Sequence, residues 1–232
     1  MTEDLVIVGA GGFARETAAA VAAINSVEPR WRLLGFLDDD PQLHGTTRSG
    51  VPILGGTELV AEYPNARVLV CVVSPRAFLA RRQLVDRLAI EPDRLATIVH
   101  PAAQLGPGSD VGPGSVLLAN VVLTTDAVLG SQVFVMPQTV ITHDDVISDD
   151  VTLTSGVRLG SLVNIGDGTY IGSGALIREG VSIGPVSMIG MGAVVLRDVP
   201  AGQVWVGNPA RYLRDVQTPG SEATVHMTGE RL

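Results

Sequence analysis

The sequence predicts a small α/β unit followed by a parallel β-helix. Two observations carry that reading. One is a strict period of six: from Val99, through Leu105, Val111, Leu117, Leu123, Leu129, Val135 and Ile141 to Val195, every sixth residue is aliphatic and nothing is inserted. Four residues after each stands a small or β-branched residue, from Ala103 to Val199, with Asp145 the one exception. The other is the alternation of apolar runs, turns and helical patterns before residue 98, which implies a small parallel sheet.

A helix repeats its apolar positions every three or four residues and a simple strand every two, so a period of six fits neither. Each hexad instead forms one short side of a coil, and three hexads close a triangular turn that stacks on the next. The aliphatic residue is expected inside the prism and the small one at the corner. Glycine follows the aliphatic residue at Gly106, Gly112, Gly130, Gly160, Gly166, Gly172, Gly184 and Gly190, where it is expected to supply corner conformations that other residues resist.

The N-terminal segment reads in order as a Rossmann-like unit. A strand over 5–8 leads through Gly9, Ala10, Gly11 and Gly12 into a helix over about 14–24, so that backbone N–H groups and a helix N-terminus can face a phosphate. A second strand over 31–37 ends in Asp38, Asp39, Asp40 and Pro41; the acidic residues either bind a ribose or base or form a solvated turn before proline. A helix near 58–62, a strand over 67–73 and a helix over 76–88 follow. Three parts result: residues 1–97, the β-helix 98–208, and 209–232. The last comprises a short closing helix over 209–216 and a polar tail from 217 that is either mobile or an arm onto a neighbouring subunit.

Composition sets bounds. The 232 residues carry a net charge of −8, which argues against nucleic acid as a partner. All 16 basic side chains are arginine. The single Cys71 lies in an apolar run and reads as a buried thiol, so no intrachain disulfide is expected. Neither a signal peptide nor an apolar stretch of membrane-spanning length is visible, which makes the cytoplasm the default compartment and no membrane the expectation.

His143 stands two residues after the inward Ile141, hence on the outside of the prism, where an imidazole can titrate near neutrality as a general base requires. Coil stacking aligns it with Ser161, then Glu179, then Arg197. At about 4.8 Å per coil, Arg197 is expected roughly 14 Å along the axis from the base.

The ordered motifs Gly9-Ala-Gly-Gly-Phe-Ala-Arg-Glu16, Gly35-Phe-Leu-Asp-Asp-Asp-Pro41, Gly50-Val-Pro-Ile-Leu-Gly55, Ile98-Val-His-Pro101, His143-Asp144 and Gly207-Asn-Pro-Ala-Arg211 resemble one branch of the hexapeptide-repeat acyltransferases. That branch comprises the bacterial sialic-acid O-acetyltransferases and UDP-4-amino-sugar N-acetyltransferases, and the likeness runs over nearly the whole chain. It implies a left-handed β-helix, a homotrimer, a nucleotide-sugar held by the N-terminal domain and acetyl-CoA, or another acyl-CoA, in the groove between two prisms. It also implies His143 as general base, oriented by Asp144, with no metal.

On that basis the thioester is expected near His143, Gly160 and Ser161, with Glu179 along the same column and Arg197 or Arg211 near the cofactor phosphates. Gly11, Gly12, Phe13, Asp38, Asp39 and Met136 are the expected acceptor-binding residues. Three positions depart from the family: Phe13 replaces a common histidine, Met136 a frequent asparagine, and Asp145 a small residue, often cysteine. These imply either a less polar or differently substituted acceptor or drift around an unchanged one.

Two other function classes stand beside this one. A metal-dependent hydratase on the same prism needs about three histidines around the ion, and only His100 and His143 lie in the repeat. A non-catalytic nucleotide-sugar-binding or scaffold protein would be told from the enzyme by an assay of thioester consumption.

Overall fold

The protein is described by a computed structural model over residues 2–74 and 80–217. The N-terminal unit holds β1 (Glu3–Val8), α1 (Gly12–Val27), β2 (Trp31–Leu37), β3 (Thr47–Arg48), β4 (Val51–Gly55), β5 (Arg67–Val70) and α2 (Ala80–Arg87). The sheet order is β3-β4-β2-β1-β5, parallel except for the β3/β4 pair. β1 alternates strictly. Leu5 and Ile7 face the side covered by α1, while Val6 and Val8 face the side covered by α2.

The β3/β4 hairpin was not anticipated, because its strands are too short to show periodicity. Its signal was the Ser49–Gly50 pair, whose φ values of 50° and 78° make the tight turn that hairpins favour. The segment near 58–62 is a 3-10 helix over Thr57–Glu62, and the strand expected to reach residue 73 stops at Val70. Of the helix expected over 76–88, residues 76–79 lie outside the described residues.

From Ile98–Val99 onward, two-residue strands repeat every six residues and pair in parallel with the strand eighteen positions on, as Val122↔Val140 and Leu123↔Ile141 do. The result is the left-handed β-helix. It has three faces: a docking face (Ile98–Val99, Val116–Leu117, Phe134–Val135, Thr152–Leu153 and onward), a front face (Val122–Leu123, Val140–Ile141, Arg158–Leu159 and onward) and a rear face (Val128–Leu129, Val146–Ile147, Asn164–Ile165, Ser182–Ile183). Leu117, Leu123, Leu129, Val135, Ile141 and their successors form one continuous core with the small-residue series. Each buried aliphatic contributes about 1.5–3 kcal/mol.

The glycines after the aliphatic residues do not serve as expected. The left-handed backbone falls two residues later, at every third residue past the aliphatic from Gly108 to Gly192, with φ between 52° and 75°. Glycine, asparagine, aspartate, glutamine and even Leu162 and Val186 occupy it. The glycines directly after the aliphatics are there for spacing: a Cβ on Gly160 would lie 2.5 Å from Glu179 N, and one on Gly172 2.5 Å from Met191 N.

The closing helix is absent. Arg211–Asp215 is a strand paired antiparallel with Gln203–Val206, which itself continues the docking face beside Met188–Ile189. The backbone of Gln203–Val206 has an open edge that a helix could not satisfy and a hairpin does. Trp205 closes the end of the core with 6% exposure. Of the tail, residues 218–232 lie outside the described residues.

The N-terminal unit seats on the docking face. Phe13 and Phe134 stack with ring centroids 4.5 Å apart, in a cluster that also contains Ile98, Val116 and Leu118. Gly172→Ala is expected to destabilise by about 1–3 kcal/mol, because backbone must shift to admit the methyl group. Gly192→Ala, at φ +65° but with nothing within 4 Å of the added carbon, is expected to cost about 1–2 kcal/mol through conformation alone. Chemical denaturation of the two variants checks whether contact or conformation governs each position.

Candidate active site

The turn 142–145 joins the front-face strand Val140–Ile141 to the rear-face strand Val146–Ile147. It therefore stands at the vertex opposite the docking face. His143 Nδ1–H donates to Asp144 Oδ2 at 2.7 Å, and each side chain is 53% exposed. With Nδ1–H so engaged, the Nε2 lone pair is the one left for a substrate proton. The left-handed backbone of Asp144, φ 60°, sets its carboxylate beside the ring.

The expected column forms. Leu162 N–H donates to His143 O at 3.2 Å and Gly180 N–H to Ser161 O at 2.8 Å, so the turns bearing His143, Ser161 and Glu179 stack directly. Gly160 and Ser161 are half-buried, Glu179 exposed. Arg197 ends the column, but its guanidinium is partly engaged, lying 5.1 Å from the centroid of the Trp205 ring. Arg211 stands apart, at the start of the second strand of the terminal hairpin, with its Nη1 donating to Ala210 O at 2.9 Å.

Beside the column, on the rear face, runs a groove of about 390 Å³ lined by Val146, Asn164, Ser182, Asp198, Pro200 and Ala201 among others. Val128, Val146, Leu162 and Leu176, on the faces and vertex that flank the column, are between 43% and 55% exposed.

On the far side of the prism, Gly11 and Gly12 open α1 at the carboxyl ends of β1 and β5, where the chain's crossovers leave β1 in opposite directions. Both are exposed, and a Cβ on Gly11 would meet nothing within 4 Å. Arg15 N–H already bonds to Gly11 O, which leaves the earlier N–H groups of the helix for an anion.

Asp38 is half-buried and Asp39 exposed, and the protein's own groups engage both. Asp38 accepts from Ala10 N–H at 2.8 Å and Asp40 N–H at 3.0 Å, tying the glycine turn to the end of β2. Asp39 accepts from Thr57 N–H and Oγ1–H and from Arg87. Burial opposes its charge, but the bonds from Thr57 and Arg87 prevail and hold the carboxyl below its ordinary range.

Phe13 is 8% exposed in the stack with Phe134, and Met136 packs on the edge of the same cluster. The structure brings these two together, but with the domain junction rather than with His143.

Sequence reasoning missed a charged latch across that junction. Arg81, 1% exposed, lies 3.9 Å over the Phe134 ring and 3.8 Å from Asp150, while Arg82 donates to Asp150 Oδ2 at 2.7 Å. Burial pushes Arg81 down to about 10 and raises the Asp150 carboxyl against the pull of the two arginines. The only sequence cue was Arg81-Arg82 on a helix, which reads equally as a solvated face. Cys71 is buried with its thiol pushed up to about 12 by burial, which makes it inert at neutral pH. Among the described residues, no helix is long and apolar enough to cross a membrane.

Comparison with known proteins adds four findings. Residues 4–88 match the PglD N-terminal domain family. The acetyltransferase domain of PglB from Neisseria gonorrhoeae, also solved with acetyl coenzyme A, is 29% identical with a TM-score of 0.81, over 91% of this chain and 100% of that one. A histidine-to-asparagine variant of perosamine N-acetyltransferase from Caulobacter crescentus, in complex with CoA and GDP-perosamine, is 26% identical with a TM-score of 0.79, over 93% and 99%. In sequence, 2,3,4,5-tetrahydropyridine-2,6-dicarboxylate N-acetyltransferases of Clostridium perfringens are 43% identical over 49 residues, so the match spans 21% of this chain and about a fifth of their own length, 21%.

Phe13→Ala is expected to lower the unfolding free energy by about 3–5 kcal/mol, read from the urea midpoint of the protein without substrates. An unchanged midpoint with weakened acceptor binding would instead assign Phe13 to the acceptor pocket.

Proposed function

From a chain whose residues 4–88 match the PglD N-terminal domain family, we propose a hexapeptide-repeat acetyltransferase of the PglD type that transfers an acetyl group from acetyl-CoA to an amine or hydroxyl of a nucleotide-linked sugar. The observation that carries the proposal is the stacked column at the free vertex. It sets an exposed His143–Asp144 pair beneath the Gly160–Ser161 turn and alongside a groove that suits an extended pantetheine arm.

His143 Nε2 takes the proton from the acceptor as it attacks the thioester carbonyl, and Asp144 holds the ring and balances the charge that the imidazole gains. A backbone N–H of the turn above stabilises the oxyanion. As the C–S bond breaks, the proton held by His143 passes to the sulfur, coenzyme A leaves as the thiol, and no covalent enzyme intermediate is needed. The exposed N-terminus of α1 at Gly11–Gly12 suits the acceptor's diphosphate. GDP-perosamine, held by the Caulobacter enzyme, is of this acceptor class.

In one chain the column and the glycine turn stand on opposite sides of the prism. A complete site thus calls for a second copy, and a cyclic homotrimer satisfies this for every chain at once. The exposed apolar residues flanking the column support such packing. Sedimentation equilibrium is expected to give three times the 24.2 kDa chain mass; a monomer that retains full activity would overturn the assembly.

His143→Ala is expected to lower turnover by about 10²- to 10⁴-fold with the melting temperature and coenzyme A affinity unchanged. Asp144→Asn is expected to cost less, since it affects only orientation and charge balance. Thioester consumption with a panel of UDP-, GDP- and dTDP-linked amino-sugars measures both effects; consumption of none of them would oppose this acceptor class.

A further inference from the structure

The β-helix ladder is broken at one point. From His100 to Arg178, the residue after each inward aliphatic donates its N–H to the aliphatic carbonyl one coil on, as Thr124 does to Ile141 O at 3.1 Å and Gly160 to Ile177 O at 2.8 Å. Among the described residues in that range, Thr142 alone departs from the pattern. Its N–H donates to Asp145 Oδ2 at 2.8 Å, and its hydroxyl, at 3.3 Å, takes over the Leu159 carbonyl. Strand pairing at this rung shrinks to Val140↔Arg158.

Asp145 occupies the corner position that is small or β-branched in every other hexad, and it is fully buried. Its Oδ1 accepts from Val163 N–H at 2.9 Å. Serines at equivalent corners make that second bond, Ser109 to Ala127 N–H and Ser115 to Val133 N–H, but neither reaches back across its own turn. Only a carboxylate offers two oxygens, one for each N–H, from a single corner.

We propose that Asp145 is a positioning residue for the acyl transfer: its carboxylate draws Thr142 N–H out of the ladder and so fixes how the His143 turn stands off from the coil above. The assignment rests on His143 being the base. It gives the turn two settings, with Thr142 N–H bonded either to Asp145 or, as in the other coils, to the Leu159 carbonyl.

The charged groups that bear on Asp145 are His143 and Asp144 of its own turn; Ala127 and Val163, stacked below and above, are apolar. Burial pushes the Asp145 carboxyl up to about 6, against the two backbone N–H bonds and the pull of His143. Protonation turns one acceptor oxygen into a donor, so one of the two N–H groups loses its partner and the regular setting gains. Because the folded group binds its proton more tightly than the ordinary value of 3.8, the ionised carboxylate opposes folding, and stability falls as pH rises from 3.8 towards about 6.

The test pairs Asp145→Ser with Asp145→Asn and His143→Ala. Asp145→Ser restores the regular corner, so above pH 6 its melting temperature is expected to equal or exceed that of the unaltered protein. Its kcat is expected to fall by about 10- to 100-fold, with the Kd for coenzyme A unchanged. The acid limb of log kcat against pH is expected to be steeper than one proton in the unaltered protein and to become a one-proton limb in the serine variant. Asp145→Asn, which keeps one acceptor oxygen, is expected to fall between. A serine variant with unaltered kcat and an unaltered acid limb would overturn the positioning role, as would a loss of kcat matched by loss of folded protein. An inactive His143→Ala beside an unaffected Asp145→Ser removes only this inference, whereas an active His143→Ala removes the base itself.

Discussion

Everything in the second half of this protein depends on the parallel backbone ladder between coils eighteen residues apart. The ladder fixes the height of each coil and, with it, where every sixth side chain points. An insertion of one residue would turn the aliphatic series out of the core and the polar series in. The column of His143, Ser161 and Glu179 is a by-product of that constraint: a function needing groups in a line along the prism can be written into the outward positions without disturbing the core. The glycines answer to the same requirement, since at Gly160 and Gly172 a methyl group would press on the next coil's backbone.

Much of this was legible in the sequence because period and packing are the same fact in a β-helix. The six-residue pattern placed each strand, the inward and outward positions, the exposure of His143 and its stacking beneath Ser161. Local backbone conformation was less legible. The left-handed position is held by aspartate, asparagine, glutamine, leucine and valine as readily as by glycine, so glycine marked the wrong residue of the turn. The strand over Arg211–Asp215 escaped because its sequence is exposed throughout and shows no alternation; its partner strand, not its own composition, determines it.

The candidate site divides the same way. His143 and Asp144 came from outward register and resemblance; the hydrogen bond between them had no cue in the residues beyond their adjacency. Phe13 and Met136 could not be assigned from one dimension, because an apolar residue near a glycine turn can face a ligand or a neighbouring domain. Here Phe134 and the charged latch of Arg81, Arg82 and Asp150 claim that surface. Asp38 and Asp39 show a related limit. Their carboxylates read in the sequence either as ligand groups or as a solvated turn, and neither reading carries the bonds to Ala10 and Thr57 that tie them to the rest of the N-terminal unit.

The placement of the His143 turn at the vertex away from the N-terminal unit has a consequence for dosage. If each site draws its base from one chain and its nucleotide turn from another, a lone chain carries both halves and no whole. Specific activity then depends on how much protein is present: it collapses on dilution below the dissociation constant of the assembly and is regained on concentration, because association supplies what folding alone does not.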